Sequence, residues 1–324
     1  MPYAIRCHRT GGPEVLTWED VPVGKPGKGQ VLVRHTAVGL NFIDVYFRTG
    51  LYPAPTPFVP GQEAAGVVEA VGRGVTALKV GDRVAYGSGP IGSYAEMRVM
   101  DAAQLVRIPS GISDVEAAAM MLKGLTAQYL IRRIHKVAPG ETILVHAAAG
   151  GVGLIACQWA SHLGATVIGT VGSKEKAKIA KAHGCTHPII YTEEDFVARV
   201  KKITKGKGVP VVYDSVGKDT FPASLDCLVP RGMFVTYGNS SGPIPPFAPG
   251  ILTQKGSLFM TRPSLPAYIA TPEELASAAR DLFKVVKSGA VKIEVNQTFP
   301  LKDAAKAHRA LEARRTTGST VLVV

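Results

Sequence analysis

Residues Thr142 to Gly153, TILVHAAAGGVG, constrain this chain more than any other stretch. An apolar run of Ile, Leu and Val ends in a turn of small residues, Ala147 to Gly153, and a helix-forming segment, LIACQWASHLG, follows at once. A second apolar run, ATVIGTV, comes directly after it. Strand, turn, helix and strand in this order specify a parallel β-α-β unit, because parallel neighbours need a crossover. A turn free of large side chains also lets the backbone approach a ligand closely.

The spacing inside the turn is A-x-G-x-x-G. Ala148, Gly150 and Gly153 stand where a dinucleotide-binding fingerprint usually has three glycines. The first position makes the tight turn, the second admits a pyrophosphate, and the third lets helix pack on strand. Ala148 can serve only if its φ is negative. The anion then sits at the N-terminus of the helix beginning near Val152, where unpaired N–H groups and the helix dipole favour negative charge.

On either side of this unit the pattern changes. Residues 2–123 read as short strands, Tyr3 to His8, Val15 to Val21, Gln30 to Val38, Gly66 to Val71, Arg83 to Tyr86 and Tyr94 to Val99, separated by Gly and Pro turns. That spacing predicts a partly open barrel or folded sheet. Gly39 to Gly50 reads as a short helix leaving the sheet, and Tyr52 to Pro60, with four prolines, as a surface loop beside it. Asp114 to Ile134 has helical periodicity broken at Gly124. From Ile143 to Tyr237 strands and helices alternate, which predicts a parallel sheet with helices on both faces. On the helix Leu154 to Leu163, Gln158, Ser161 and His162 share a polar face. Thr271-Pro-Glu-Glu274 is a capping box opening a helix that stops at Gly289, Lys302 to Arg314 is another helix, and Thr320 to Val324 is a strand expected to return to the N-terminal sheet.

Composition narrows the function classes. With 46% apolar and 19% charged residues, 324 residues are enough for two globular domains. The net charge is +12, but the densest basic cluster, Lys201, Lys202, Lys205 and Lys207, closes a helix, where cations complement the dipole. Without aromatic residues interleaved among the lysines and arginines, nucleic acid is not the expected partner. Cys7, Cys157, Cys185 and Cys227 lie far apart and none forms C-x-x-C, which fits reduced thiols in the cytoplasm and neither a disulfide frame nor a structural zinc lobe. No apolar run approaches the ~18 residues of a membrane span, and MPYAIRCHRTGG has no signal-type apolar core.

The second strand selects among dinucleotides. A site for NAD places an acid about 20 residues on, at the end of that strand. Here the strand runs into Gly172-Ser173-Lys174-Glu175-Lys176. Ser173 and Lys176 supply the hydroxyl and cation that a 2′-phosphate needs, so NADPH is the expected cofactor. Lysines beside the positive end of a helix dipole call for an anion, and Glu175 complicates the picture, although its side chain can point away.

These residues bear a family resemblance. GGPEVL at 11–16, GLNFIDVYFRTGLYP at 39–53, GQEAAGVVEAVG at 61–72, VGDRVAY at 80–86, HAAAGGVGLIACQWA at 146–160, VVYDSVG at 211–217 and GNSSG at 238–242 resemble the zinc-free branch of the medium-chain dehydrogenase/reductase family, in particular the zeta-crystallin-like quinone oxidoreductases. The resemblance spans the chain. It implies an α/β protein with a GroES-like β-rich catalytic domain, 1–124 completed by 265–324, and a doubly wound parallel-sheet Rossmann domain, 125–264, with NADPH in a cleft between them and a homodimer as the assembly. It also implies site residues. Asn41, Phe42, Tyr46 and Tyr52 line the nicotinamide end with Lys123, Thr126 and Tyr129 nearby. Gly150, Gly151 and Val152 meet the pyrophosphate. Gly172, Ser173, Lys176 and Tyr191 take the adenosine phosphate end, and Tyr237, Gly238, Asn239, Ser240 and Arg314 other parts of the cofactor. The zinc alcohol dehydrogenases of the wider family carry a cysteine where this chain has Asn41 and Gly-His-Glu where it has Gly61-Gln62-Glu63, and amides in those places cannot build their zinc site.

Without a metal, hydride transfer needs an acceptor that is already electrophilic. A quinone fits, with the Asn41 amide, the Tyr46 and Tyr52 hydroxyls and Lys123 as donors to the developing oxyanion and water as the proton source. Sequence chemistry does not separate this from reduction of an activated C=C bond in an enone or enoyl thioester, nor hydride from single-electron transfer. A structural or RNA-binding role is a third class. Gly238-Asn-Ser240-Ser-Gly242 also spells the G-x-S-x-G of serine hydrolases, but Pro243, Pro245 and Pro246 stand where a nucleophile elbow requires a helix.

Overall fold

The computed structural model describes all residues from Met1 to Val324. Two compact units emerge: Met1–Leu125 with Tyr268–Lys287 and Ile293–Val324, and Thr126–Ala267 with Ser288–Lys292. In chain order the first unit holds β1 (Tyr3–Cys7), β2 (Leu16–Asp20), β3 (Gln30–Leu40), α1 (Phe42–Thr49), β4 (Ala64–Val71), β5 (Arg83–Tyr86), β6 (Met97–Asp101), β7 (Val106–Arg107) and the start of α2 (Asp114–Tyr129). The second has β8 (Thr142–Val145), α3 (Gly151–His162), β9 (Thr166–Val171), α4 (Lys174–Ala182), β10 (His187–Ile190), α5 (Phe196–Ile203), β11 (Val209–Asp214), β12 (Leu228–Thr236), α6 (Gly250–Gln254) and β13 (Phe259–Thr261). The chain closes with α7 (Leu265–Tyr268), α8 (Pro272–Lys287), β14 (Val295–Pro300), α9 (Ala304–Glu312) and β15 (Ser319–Val323).

The first unit is a folded seven-stranded sheet of order β14-β15-β3-β4-β5-β7, with β6 also on β3 and a separate β1-β2 ribbon. β3 is the spine. Its first half lies between β4 and β6, its second half between β4 and β15, and two register shifts against β4 let it bend. β15 does return here, antiparallel to β3, because its residues Thr320 to Leu322 are buried on both faces. Ile5, Val31, Val33, Val38, Phe58 and Leu322 belong to one apolar core, to which the proline-rich loop contributes Phe58.

The second unit is an all-parallel sheet of order β10-β9-β8-β11-β12-β13. Numbered from β8, this is 3-2-1-4-5-6, so the strand order reverses between β8 and β11, and ligands of such sheets bind beyond the strand ends at that point. Central strands such as Ile143-Leu144-Val145 are apolar throughout because both faces are covered.

Several local expectations need correction. α2 passes straight through Gly124 and ends at Tyr129 in a π-helical turn, Leu130–Ile134. Gly124 is glycine because a Cβ there would run into the Leu282 side chain of α8 at 2.5 Å. Gln158 is not on a solvated face. It is buried and both donates to and accepts from the Lys292 backbone, at 3.0 and 2.9 Å, which fixes 288–292 to the second unit although the sequence assigns them to the first. The sixth strand begins at Met97 and not Tyr94, and Phe221 to Leu228 forms only a 3-10 turn, Ala223–Cys227. β7 and β14 have no counterpart in the sequence reading: β7 has two residues, and β14 (VNQTFP) buries its inward side chains only partly.

Candidate active site

The fingerprint turn forms as its spacing requires. Gly150 is the N-cap of α3 with extended backbone (φ −82°, ψ 173°). Gly153 is indispensable to packing, because a Cβ there would strike the Ala147 carbonyl and the Ala148 backbone. A Cβ at Gly150 would meet only the Ala147 carbonyl oxygen, at 3.2 Å, so the space above that residue is open. Ala148 is absent from the residues of positive φ, as its role demands, whereas Ala147 takes the left-handed region (φ 53°).

At the end of β9, Ser173 caps α4, its hydroxyl accepting the Lys176 N–H at 3.3 Å. Tyr191 stands over Gly172, whose missing side chain leaves room for the phenol oxygen. Lys176 is half-buried and Lys174 faces Glu193 at 3.7 Å. Glu175 does not point away. Hydrogen bonds from its own backbone N–H and then from the Ser173 hydroxyl hold its carboxyl below the usual range, so an acid shares this helix end with the two lysines. Tyr237 to Ser240 follow β12, where Gly238 packs on the Ser215 backbone. With its amide turned to satisfy both groups, Asn239 donates to the Gly238 carbonyl (2.9 Å) and accepts from Arg262 (3.1 Å), a cation the sequence reading missed. Residues 238–249 contain no helix, so the helix that a nucleophile elbow requires directly after Ser240 is missing. The Thr236 hydroxyl at the end of β12 is buried without a partner, at the edge where a ligand of such a sheet sits.

In the first unit, the turn from β3 into α1 presents Asn41 as N-cap. Its main partner is Glu63, which no motif in the sequence marks. That fully buried carboxylate accepts the Asn41 Nδ2 at 2.8 Å, the Lys123 Nζ at 2.7 Å and the Leu122 N–H at 2.7 Å. Lys123 is itself 5% exposed, so the pair is a buried ion pair with the carboxylate saturated by donors. Phe42, Tyr46 and Tyr52 form an aromatic group, with Tyr46 and Tyr52 edge to face at 5.2 Å and the Tyr52 N–H on the Tyr46 carbonyl at 3.0 Å.

Asp44 completes the turn, its Oδ2 accepting the Asn41 N–H at 2.9 Å. Burial pushes its carboxyl up to about 7, against the opposing pull of the Asn41 N–H, Tyr94 and Lys123. The N-x-x-D spacing of a capping box is the one signal that could have found it. Arg314 is exposed and left-handed (φ 57°) at the end of α9, in the first unit, whereas Thr126, Tyr129 and the fingerprint residues belong to the second.

A family model of zinc-binding dehydrogenases matches residues 151–274, and one of the alcohol dehydrogenase GroES-like domain matches 27–110. Quinone oxidoreductase of Pseudomonas aeruginosa is 56% identical to this chain over 324 residues, with both chains fully covered. The chain belongs to the quinone oxidoreductase branch of the medium-chain dehydrogenase/reductase family. The crystal structure of Escherichia coli quinone oxidoreductase complexed with NADPH is 50% identical, with a TM-score of 0.98 over 99% of this chain and 100% of that one. A 2-haloacrylate reductase of a Burkholderia species is 49% identical, covering 100% of this chain and 99% of its own.

The zinc in the first family description finds no site here. No three His, Cys, Asp or Glu side chains converge to hold a metal ion. At the positions in question the Asn41 amide donates to Glu63 and the Gln62 amide donates to the Gly89 carbonyl at 2.8 Å, so both present N–H groups where a cation needs lone pairs.

Proposed function

We propose that this chain is an NADPH-dependent quinone reductase working without a metal. The observation that carries the reading is the buried trio of Asn41, Glu63 and Lys123, in which an amide and an ammonium converge as hydrogen-bond donors on one buried carboxylate. When bound, NADPH supplies the hydride, or its electrons one at a time. The open space at Gly150, the α3 N-terminus and the orphaned Thr236 hydroxyl fit a dinucleotide. Gly150, Gly151 and Val152 hold the pyrophosphate, and Gly172, Ser173, Lys176 and Tyr191 hold the 2′-phosphate end. Tyr129, Tyr237, Gly238, Asn239, Ser240, Phe42 and Arg314 serve the remainder.

Asn41, Tyr46, Tyr52, Lys123 and Thr126 serve the acceptor. Glu63 holds the Lys123 ammonium and one N–H of the Asn41 amide in fixed directions, and the second amide N–H, only 3.4 Å from the Gly39 carbonyl, is the one that turns with the ammonium's free hydrogens to an oxygen gaining negative charge. Phe42, Tyr46 and Tyr52 give a flat acceptor an aromatic wall. The protein acts in the cytoplasm as a homodimer. β13 supports the dimer: it is the edge strand of its sheet, and it carries Phe259, at 59% the most exposed large apolar side chain after Met1 and level with Val80. A panel of benzoquinones, naphthoquinones and conjugated enones, followed at the NADPH absorbance band, tests the reading. Faster turnover of every enone than of any quinone would replace it with activated C=C reduction.

A further inference from the structure

A buried polar chain runs from α9 to the turn that carries Asn41. Arg48, on α1 and 1% exposed, donates to His308 Nδ1 at 3.0 Å, to the Glu312 carboxylate at 2.8 and 2.7 Å, and through Nε to the Gly11 carbonyl at 3.1 Å. A guanidinium only donates, so Nδ1 of His308 is an acceptor and its ring proton is on Nε2. That Nε2–H donates to the Tyr94 hydroxyl at 3.0 Å, which leaves the Tyr94 proton for Asp44 Oδ2, also at 3.0 Å. The same oxygen accepts the Asn41 N–H. From Arg48 to Asp44 every hydrogen therefore points one way, and the Asn41 N–H meets them from the other side at the same oxygen. Desolvation, and then the nearby Arg48, push His308 down to about 3, so the ring stays neutral and the direction does not reverse.

Asp44 is where the chain acquires consequence. Its other oxygen, Oδ1, is buried with no partner. Tyr94 and the Asn41 N–H both engage Oδ2, and without the Tyr94 proton only that backbone N–H keeps the carboxyl from turning and loosening the angle at which Asn41 leaves β3. Because α1 is tied at one end through Asp44 and at the other through Arg48, α9 sets the pose of the whole turn.

We propose that Tyr94, His308 and Arg48 are positioning residues, holding Asp44 on the Asn41 N–H so that the Asn41 carboxamide keeps one orientation toward the acceptor. This rests on the reading that Asn41 meets the acceptor. The test compares His308→Leu, His308→Gln, Tyr94→Phe and Asn41→Ala in the full-length protein, measuring kcat and KM for 1,4-benzoquinone, the Kd for NADPH, and thermal unfolding. His308→Leu and Tyr94→Phe are expected to raise the quinone KM roughly tenfold, the scale of one weakened hydrogen bond, with the NADPH Kd within about twofold of wild type. His308→Gln, whose amide nitrogen donates to Tyr94 and whose oxygen accepts from Arg48, is expected to recover quinone KM to within about threefold of wild type. If His308→Leu does not fold, Tyr94→Phe decides, since it keeps the ring packing. A folded variant lacking the chain with wild-type quinone kinetics, or equal loss in the Gln and Leu variants, overturns the proposal. Unchanged quinone kinetics in Asn41→Ala would instead overturn the reading of Asn41 on which it stands.

Discussion

The fingerprint turn separates two glycines that look alike in sequence, and substituting each by alanine separates binding from folding. Gly150 has φ −82°, which any L-residue adopts, and an added Cβ would meet only the Ala147 carbonyl oxygen at 3.2 Å. Gly150→Ala should therefore cost less than about 1 kcal/mol of stability, the scale of exchanging one weak N-cap residue for another. The same methyl fills the space through which a phosphate reaches the first N–H groups of α3. Losing one hydrogen bond to a charged group is worth about 1.5–3 kcal/mol, so the NADPH Kd should rise roughly ten- to a hundredfold. Gly153→Ala should do the reverse. Its Cβ runs into the Ala147 carbonyl and the Ala148 backbone, neither of which can swing aside, so the variant should lose about 1–3 kcal/mol as overpacked sites do. Fluorescence titration with NADPH and thermal unfolding with and without it read both quantities. A Gly150→Ala protein that binds NADPH within twofold of wild type would refute the placement of the pyrophosphate, and an unshifted melting temperature for Gly153→Ala would refute the packing argument.

Two further outcomes follow from charges. Lys176→Glu should move the ratio of NADPH to NADH efficiency toward NADH, and Glu175→Gln should move it the other way by removing the acid that now occupies the Ser173 hydroxyl; steady-state kinetics with both cofactors check this. Asp44 has its carboxyl raised from 3.8 to about 7 in the folded protein, so the native state holds that proton more tightly than the unfolded chain. The stability this contributes is fully present below the unfolded value and is lost as pH rises through about 7. Asp44→Asn removes the titration, and the advantage of wild type over the variant in melting temperature should shrink from pH 5 to pH 8.

The Rossmann half of the molecule was legible because its signals are local. An apolar run, a small-residue turn and a helix lie consecutively in Thr142 to Leu163, and β15 could be sent home to the first sheet because TVLVV is a strand-forming apolar run, of which Thr320 to Leu322 are buried while Val323 and Val324 stay exposed. Asn41 and Lys123 were legible only through resemblance. What joins them, Glu63, carries no signal of its own, since nothing in the spacing of 41, 63 and 123 says that the N-cap of α1 and the middle of α2 converge on one carboxylate. The Arg48-His308-Tyr94-Asp44 chain is hidden for the same reason, spanning 264 residues from Arg48 to Glu312. Gly124 and Gln158 misled in the opposite direction: a glycine reads as a helix breaker and a glutamine as a solvated face until the neighbours that require them, Leu282 and the Lys292 backbone, are known.

The central claim is that Asn41, fixed by Glu63 beside Lys123, serves a quinone that NADPH reduces. Steady-state oxidation of NADPH by 1,4-benzoquinone, measured on wild type and Asn41→Ala with the NADPH Kd determined in parallel, tests it most directly. Wild type should turn over, and the variant should lose roughly tenfold or more in kcat/KM for the quinone, the effect of removing one oxyanion donor, while binding NADPH normally. A wild-type protein that binds NADPH and leaves benzoquinone untouched, or an Asn41→Ala protein with undiminished kcat/KM, would contradict the account.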